Sequence, residues 1–408
     1  MKHTSVKISL FLNYFVFAIL LNSVGIVILK SLNNYGVAED QASILEPFKD
    51  MPIAIVSFVI ASFLPRIGYK RAMLIALALV SFACIFMFYG NSFFAAKVLF
   101  ATVGTSFALI KVSVYSMIGM VTENPKAHNS LMSNIEGVFM IGIALAYFLF
   151  PAFNSDTNPD AWLRVYWLLA AAAVLSFLFL YFTKFDKTPE IPGADLAQDF
   201  VEMMKLMARL LTLVFIISAF LFVMIEQGIM TWLPTFNQNV LHLPESVSIM
   251  MASIFAISLA VGRLLAGVLT RRIHWIWVLS FCTVTAMFLV VFLLPKTVGI
   301  EVKAIQSVKD IPLIGFAFPI VGLFIAPIYP LLNSIVLSAL PKKLHSPMTG
   351  LIVVFSAVGG SMGSVITGWL FKNKGPENAF YFILIPMTFL LISYFILKKL
   401  TSKNAVQA

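Results

Sequence analysis

The sequence is poor in charge, with Asp, Glu, Lys and Arg making up only 11% of its 408 residues. Soluble domains carry about 25% charged residues because their surfaces must be solvated. Residues of the AVILMFWYC set account for 60% of the chain, and the mean hydropathy is +0.96. This composition excludes a soluble globular protein of this size and indicates that much of the surface faces lipid.

Cysteine and histidine are also scarce. Cys84 and Cys282 lie inside apolar runs, and the five histidines show no metal-ligand spacing. We therefore predict no disulfide framework, no metal site and no cofactor. The sequence has no Gly-rich phosphate loop and no nucleophile constellation, so we expect neither an enzyme nor a primary pump. The formal net charge of +10 does not indicate nucleic-acid binding, because the basic residues lie between apolar segments.

Long apolar runs dominate what is present. A helix needs about 20 apolar residues to cross the hydrocarbon core of a bilayer. The runs are continuous, which excludes an outer-membrane barrel with alternating strands. We predict an all-α integral membrane protein with twelve transmembrane helices near residues 8–30, 44–65, 72–90, 94–121, 130–153, 162–183, 209–234, 245–270, 274–295, 311–340, 346–371 and 376–397.

Basic residues between these spans predict the orientation. With both termini on one side, the loops on that side carry 17 Lys and Arg, against 9 on the other side. Basic loops face the cytoplasm. We therefore expect a multi-pass protein of the inner membrane with both termini in the cytoplasm.

One polar stretch, from Lys184 to Arg209, separates spans six and seven. It predicts a six-helix N-terminal half at 1–183, a cytoplasmic linker at 184–208, a six-helix C-terminal half at 209–398 and a cytoplasmic tail at 399–408. From about residue 194 the linker is expected to serve only as a tether or, alternatively, to form an amphipathic surface helix with Phe200, Met203, Met204 and Met207 on its apolar face.

The two halves contain short segments that resemble each other. Leu64–Arg71 follows span two, and the similar run Leu269–Trp275 follows span eight. Residues 128–132 at the start of span five likewise resemble residues 345–349 at the start of span eleven. Repeated halves are typical of secondary transporters. Six plus six spans, a cytoplasmic linker and basic loops after spans two and eight together resemble the major facilitator superfamily.

The loop after span two resembles that family's signature only in part. Arg66, Gly68, Lys70 and Arg71 match it, whereas Pro65 replaces the expected Asp and Ala61 stands where a Gly is expected. In the second half, Gly262, Arg263 and Arg271 are similar to the corresponding signature of span eight. The resemblance implies gating or structural roles for these seven matching residues.

Within the superfamily, the second half is similar to the fucose and hexose proton-symporter group. The matching residues are Glu226 with Trp232-Leu233-Pro234, Gly262-Arg263, Pro327-Ile328-Tyr329-Pro330 and Gly359-Gly360. The first half departs from that group, since span four carries Lys111 in place of an acidic residue. A basic residue in span four is similar to the organic-anion branches of the superfamily.

Charged side chains at membrane depth are costly and therefore functional candidates. Lys111 lies near the middle of span four, and we predict that it binds substrate or pairs with an acidic side chain. Glu226 lies in span seven, and a buried carboxylate can alternate between its protonated and ionised forms. We predict proton coupling at Glu226, with an outer-gate ion pair as the alternative. Gly228 and Pro234 close to it predict a break in span seven.

Three further carboxylates are candidates. Glu46 and Asp50 are four residues apart on one face near the outer end of span two, where a solvated gate is expected. Asp50 is also a second candidate for proton coupling. Glu136 lies near the cytoplasmic end of span five and is the third candidate, with an inner-gate pair as the alternative.

Polar and aromatic side chains within the spans predict a site for a polar solute. With Lys111, the predicted substrate-binding residues are Asn22, Tyr115, Asn134, Trp232, Tyr329 and Asn333. Asn13 and Ser356 are additional hydrogen-bonding candidates. Trp232 is expected to stack on a sugar ring or to serve only in packing. Gly359, Gly360, Gly363 and Gly368 of span eleven are expected to permit close helix contact.

These features predict a secondary active transporter that moves a small polar solute by alternating access. A sugar or sugar derivative with protons is the leading hypothesis. The alternatives are a carrier of organic anions of the sugar-acid type that uses Lys111, and an exporter of apolar compounds. The expected partners are the small-molecule substrate, protons and the lipid bilayer, without nucleic acid, and the protein is expected to be a monomer.

Overall fold

The computed structural model describes residues 4–122, 125–155, 157–184, 196–270, 272–297, 300, 310–338, 340 and 344–404. Within these ranges all regular structure is helical. The long helices are Thr4–Leu21, Val24–Tyr35, Leu45–Ile67, Tyr69–Gly90, Phe93–Met120, Pro125–Leu149, Val165–Phe182, Leu196–Met207, Leu210–Asn239, Glu245–Leu269, Trp275–Leu293, Ile328–Ser338, His345–Lys374 and Leu384–Asn404. Short helices lie at Glu39–Ala42, Leu313–Ala317, Val321–Ile325 and Pro376–Ala379.

Eleven helical segments in the described ranges are long and apolar enough to cross a membrane. Helix Leu45–Ile67 coincides with the second predicted span but is not among the eleven. Its first two turns carry Glu46, Lys49 and Asp50. The prediction of an all-α integral membrane protein is confirmed, and the predicted number of twelve spans is matched approximately.

The chain forms two compact units. The first comprises Met1–Gly36 and Phe48–Leu196, and the second comprises Val37–Pro47 and Ala197–Ala408. The junction after Leu196 falls within the predicted linker, of which residues 185–195 lie outside the described ranges. The short segment Val37–Pro47 precedes most of span two in the sequence, yet it packs with the second unit.

Close helix packing in the second unit depends on glycine. A Cβ atom at Gly359 would collide with the backbone carbonyl of Phe220, and one at Gly363 would collide with the carbonyl of Met224. Spans seven and eleven therefore approach each other backbone to backbone along two successive turns. This confirms the role predicted for these glycines. Gly104 serves the same purpose in the first unit, where a Cβ would meet the carbonyl of Lys49.

The predicted break in span seven is wrong. Helix Leu210–Asn239 continues through Pro234. The close packing along span eleven supports this helix, and buried neighbours allow a membrane helix to tolerate proline. The interruptions lie elsewhere, at Asn22-Ser23 in span one and before Ile328 in span ten.

Side chains compensate for the interruption in span one. The Asn22 side chain donates a hydrogen bond to the Ala18 carbonyl at 2.8 Å, and Ser23 Oγ donates to the Leu20 carbonyl at 2.8 Å. These bonds satisfy carbonyl groups near the point where the regular helix stops, as irregular backbone at membrane depth requires. Asn22 therefore lies at a local interruption of the helix in span one.

Candidate functional site

The second unit contains an ion pair between spans seven and eight. Arg263 Nη2 donates a hydrogen bond to Glu226 Oε1 at 2.7 Å. The two side chains retain 30% and 13% of their exposure, respectively. Charge-assisted hydrogen bonds of this length are among the stronger polar interactions in proteins. The sequence identified both residues, but the structure adds that they bind each other.

A cluster of polar groups lies beside this ion pair. The hydroxyl groups of Tyr329 and Ser356 are 3.2 Å apart, joining spans ten and eleven. The Tyr329 hydroxyl also lies within hydrogen-bonding reach of the Asn333 side chain, and the charges of Glu226 and Arg263 act on it. Its ring stacks on Phe222 of span seven, with centroids 5.5 Å apart. The second unit thus brings together five side chains that the sequence singled out separately.

The first unit contains a hydrogen-bonded relay. Tyr14 of span one donates to the Tyr115 hydroxyl at 3.3 Å, and Tyr115 donates to Glu136 Oε1 at 2.6 Å. Tyr14 is buried, whereas Tyr115 and Glu136 are half-buried. The Tyr115 hydroxyl therefore joins spans one, four and five. Tyr115, a predicted substrate-binding residue, and Glu136, a predicted coupling residue, belong to one polar group.

Lys111 lies one turn before Tyr115 on the same face of span four. Its ammonium group is 5.9 Å from the centroid of the Phe107 ring and 6.0 Å from that of Tyr115. Glu136 is near enough to act on its charge. No carboxylate of the described residues lies within ion-pair distance of Lys111.

Two other predicted site residues have different surroundings. Trp232 is fully buried, and its indole N–H donates to the Ser364 carbonyl at 3.0 Å. Its ring lies against Phe371, with centroids 4.9 Å apart. Asn134 is exposed on span five. The contacts of Trp232 are those of a packing residue, and the structure places neither Trp232 nor Asn134 in the two polar groups described above.

The carboxylates near the outer end of span two are less exposed to solvent than expected. Glu46 has no exposed surface and accepts a hydrogen bond from Thr231 Oγ1 at 3.1 Å within the second unit. Asp50 is 6% exposed and lies 3.4 Å from Lys49 within the first unit. The expectation that these two carboxylates are solvated is therefore wrong, because both are buried, whereas their role as a gate stays a prediction.

The signature residues after span two have structural contacts. Lys70 Nζ donates to the carbonyls of Tyr181 and Thr183, each at 2.8 Å. A cation at the C-terminal end of a helix satisfies free carbonyls and favours the helix dipole. Gly68 has a φ of +88° in the tight connection between two helices, a conformation that favours glycine. Arg71 is exposed, and the Arg66 side chain lies outside the described part of the chain.

The second signature is partly described. A Cβ at Gly262 would collide with the Leu323 carbonyl, so this glycine permits close contact between spans eight and ten. Arg263 is the partner of Glu226, as described above. Arg271 lies outside the described residues.

An apolar groove of about 360 Å³ lies near the end of span eight. Leu265, Leu269, Trp277 and Phe281 line it and are strongly exposed. Among the residues that the structure describes, no charged side chain lines this groove. Such a surface suits lipid chains better than a polar solute.

Sequence reasoning missed Tyr14, Phe107 and Thr231. Tyr14 was hidden among the apolar residues of span one, although it follows Asn13 directly. Phe107 was detectable from its spacing, since 107, 111 and 115 repeat every four residues on one helix face. Thr231 carried no signal, because its partner Glu46 lies 185 residues away.

Membrane-length helices that contain an ion pair and several hydroxyl groups are typical of an integral membrane transporter. The family model of the Major Facilitator Superfamily matches residues 8–364. The chain belongs to this superfamily and is a transporter, not an enzyme. The family prediction is confirmed.

Known sugar transporters are among the similar proteins. The glucose/mannose transporter GlcP of Bacillus subtilis (strain 168) is 22% identical over 320 residues, covering 74% of this chain and 72% of GlcP. A bacterial homologue of the human lysosomal transporter Spinster, in an inward-facing and occupied conformation, matches with a TM-score of 0.77 and 14% identity, covering 98% of this chain and 97% of that one. The E. coli fucose:proton symporter FucP matches with a TM-score of 0.62 and 13% identity, covering 97% and 99%. At these identities the structural matches establish the fold alone.

Proposed function

We propose that this protein is a secondary active transporter that moves a sugar or sugar derivative together with protons by alternating access. The observation that carries the proposal is the Arg263–Glu226 ion pair beside the Tyr329 hydroxyl. This arrangement combines a group that can take up a proton with groups that can bind a polar solute.

Glu226 is the proposed proton-coupling residue. Protonation cancels the charge of its carboxylate and weakens the hydrogen bond to Arg263. The guanidinium group then becomes available to other acceptors, and the contact between spans seven and eight loosens. Proton uptake and a change in helix packing are thereby linked at one pair of side chains.

The polar groups beside the pair suit a hydroxylated solute. Tyr329 and Ser356 present hydroxyl groups, and Asn333 presents an amide, so the cluster holds both donors and acceptors. Sugars need several such groups at once. The resemblance to a glucose/mannose transporter and the shared fold of a fucose:proton symporter support this substrate class.

Asp50 and Glu136 remain the second and third candidates for coupling. Asp50 is adjacent to Lys49, and Glu136 accepts the Tyr115 hydroxyl. Each carboxylate already has a polar neighbour whose bond would change on protonation. Parallel Asp50→Asn and Glu136→Gln variants rank the three.

The test uses full-length protein in liposomes with a pH gradient. Wild type is expected to accumulate a labelled hexose or hexuronate when the outside is acidic, and to lose accumulation when a protonophore collapses the gradient. Glu226→Gln should lose accumulation but keep exchange of labelled for unlabelled sugar, because exchange requires no net proton movement. Glu377→Gln, which alters an exposed carboxylate of the same unit, is the matched control. Accumulation by wild type that survives the protonophore would refute the proton coupling.

We also propose that the protein lies in the inner membrane as a monomer with both termini in the cytoplasm. The surplus of basic residues on that side, 17 against 9, supports this orientation. A fluorescent reporter fused after the last residue should fold and emit, whereas a phosphatase fused there should stay inactive. An active phosphatase would reverse the assignment.

A further inference from the structure

Each unit has a cation within a membrane-length helix, and the surroundings of the two cations differ. In the second unit Arg263 is bound to Glu226 at 2.7 Å. In the first unit Lys111 has aromatic rings on either side, at 5.9 and 6.0 Å, and no carboxylate of the described residues within ion-pair distance. One cation is neutralised by contact, and the other retains its hydrogen-bonding capacity.

Tyr115 explains why Glu136 does not close onto Lys111. The Tyr115 hydroxyl donates to Glu136 Oε1 at 2.6 Å, and Tyr14 supports that hydroxyl from span one. The carboxylate is therefore tied to the tyrosine relay. Lys111 keeps three donors on its ammonium group, and the rings of Phe107 and Tyr115 flank that group along the helix.

We propose that the transported solute carries a carboxylate and that Lys111 binds it. A carboxylate is the ligand that an ammonium group in a low-dielectric setting binds most strongly. The half-buried ring of Tyr115 provides a flat apolar surface for the carbon skeleton of the same solute. The substrate class is thus an acidic sugar derivative, such as a hexuronic or aldonic acid.

This inference rests on the proposed function, because it names the substrate class of that transporter. It assigns the anionic end of the solute to the first unit and the proton to Glu226 in the second unit. Lys111 is a specificity-determining residue in this scheme, and Tyr115 is a positioning residue that keeps Glu136 away from it.

The test measures exchange of labelled solute in liposomes without any gradient, which separates binding from proton coupling. The probes are glucuronate and glucose, each also tested as a competitor of the other. Wild type should exchange glucuronate, and unlabelled glucuronate should compete far better than glucose. Lys111→Ala and Lys111→Gln should weaken glucuronate binding roughly 10- to 100-fold, while Lys111→Arg should retain part of it.

Lys97→Ala is the matched control. Lys97 lies on the same helix and also faces rings, at 4.6 Å from Phe93 and 5.9 Å from Phe48. Its removal should leave glucuronate exchange unchanged. Thermal melting of each variant in detergent establishes that it is folded, and a Lys111→Gln variant that melts like wild type carries the comparison if Lys111→Ala does not fold.

Two results would overturn the inference. One is glucuronate exchange in folded Lys111→Gln that equals wild type. The other is wild-type exchange of glucose that glucuronate does not inhibit. Exchange of glucuronate that depends on Lys111 but shows no accumulation under a pH gradient would support the inference and refute the proton coupling instead.

Discussion

Arg263 donates a hydrogen bond to Glu226 across 2.7 Å, and both side chains are largely withdrawn from solvent. The pair joins two helices that follow each other in the chain, Leu210–Asn239 and Glu245–Leu269. Because each charge compensates the other, the pair contributes to stability, and under the proposed function it also links stability to transport at this position.

The first prediction concerns the stability of this pair. Arg263→Met leaves the Glu226 carboxylate without its partner and should destabilise the protein by roughly 3 kcal/mol. The double variant Glu226→Gln with Arg263→Met should recover most of that loss, because no uncompensated charge remains. A double-mutant cycle measured by thermal melting in detergent tests this. Additive losses in the double variant would mean that the two charges do not act as a pair.

The second prediction concerns the glycines of span eleven. Gly363→Ala places a methyl group against the Met224 carbonyl and should destabilise the protein by about 1–3 kcal/mol. Gly359→Ala should act similarly through Phe220. Gly267→Ala is the control, because nothing lies within 4 Å of its added Cβ. Melting temperatures that fall equally in all three variants would indicate a general cost of replacing glycine rather than a packing contact.

The third prediction concerns Asp40 and Lys372, which form an exposed ion pair at 2.8 Å in the second unit. The hydrogen bond from Lys372 holds the pKa of Asp40 below its ordinary value. A carboxyl group whose pKa is lower in the folded state stabilises the fold above its ordinary pKa, and that contribution disappears as the pH falls through the folded value.

Because the pair is exposed and screened by solvent, Asp40→Asn should lower the melting temperature by less than about 2 °C at neutral pH. The difference from wild type should vanish at acidic pH and shrink in high salt. A large decrease at neutral pH would contradict the assignment of this pair to the solvated surface.

Much of the fold was predictable because lipid imposes a simple rule on composition. Each span must be long and apolar, so the local sequence shows where it lies. The functional candidates followed from the same rule, since polar residues at depth stand out against an apolar background. Glu226, Arg263, Tyr329, Asn333 and Ser356 were identified in this way.

Pairing between residues was not predictable. The ion pair between Glu226 and Arg263 depends on how separate helices rotate against each other. The same is true of Glu136, which is held by Tyr115 and not by Lys111. The same limit applied to Glu46, whose burial depends on Thr231 in a distant helix. A single sequence shows which residues share a face of one helix, such as Lys111 and Tyr115. It does not show which faces of two different helices meet.

The interruption of span one at Asn22 was not predictable for a different reason. Neither glycine nor proline occupies positions 22 and 23, so the usual signals of a break are absent there. Pro234 gave such a signal in span seven, where the helix is continuous. Tertiary contacts and side-chain hydrogen bonds to carbonyls decide where a membrane helix is interrupted, and they are not visible in local composition.

The last prediction tests the tyrosine relay and follows from the proposed role of Lys111. Tyr115→Phe removes the hydroxyl that donates to Glu136 Oε1 but keeps the ring beside Lys111. The freed carboxylate should then turn toward the nearby ammonium group and compete with an acidic solute. Glucuronate exchange is expected to weaken about tenfold, although Lys111 itself is unchanged.

The double variant Tyr115→Phe with Glu136→Gln separates this explanation from simple loss of a substrate contact. If Tyr115 acts by holding Glu136, removing the charge of Glu136 should restore glucuronate exchange in the Tyr115→Phe background. If the hydroxyl contacts the solute directly, the double variant should remain as weak as Tyr115→Phe. Tyr14→Phe should have a smaller effect than Tyr115→Phe, because the hydrogen bond from Tyr14 to the Tyr115 hydroxyl, at 3.3 Å, is longer than the one from Tyr115 to Glu136, at 2.6 Å.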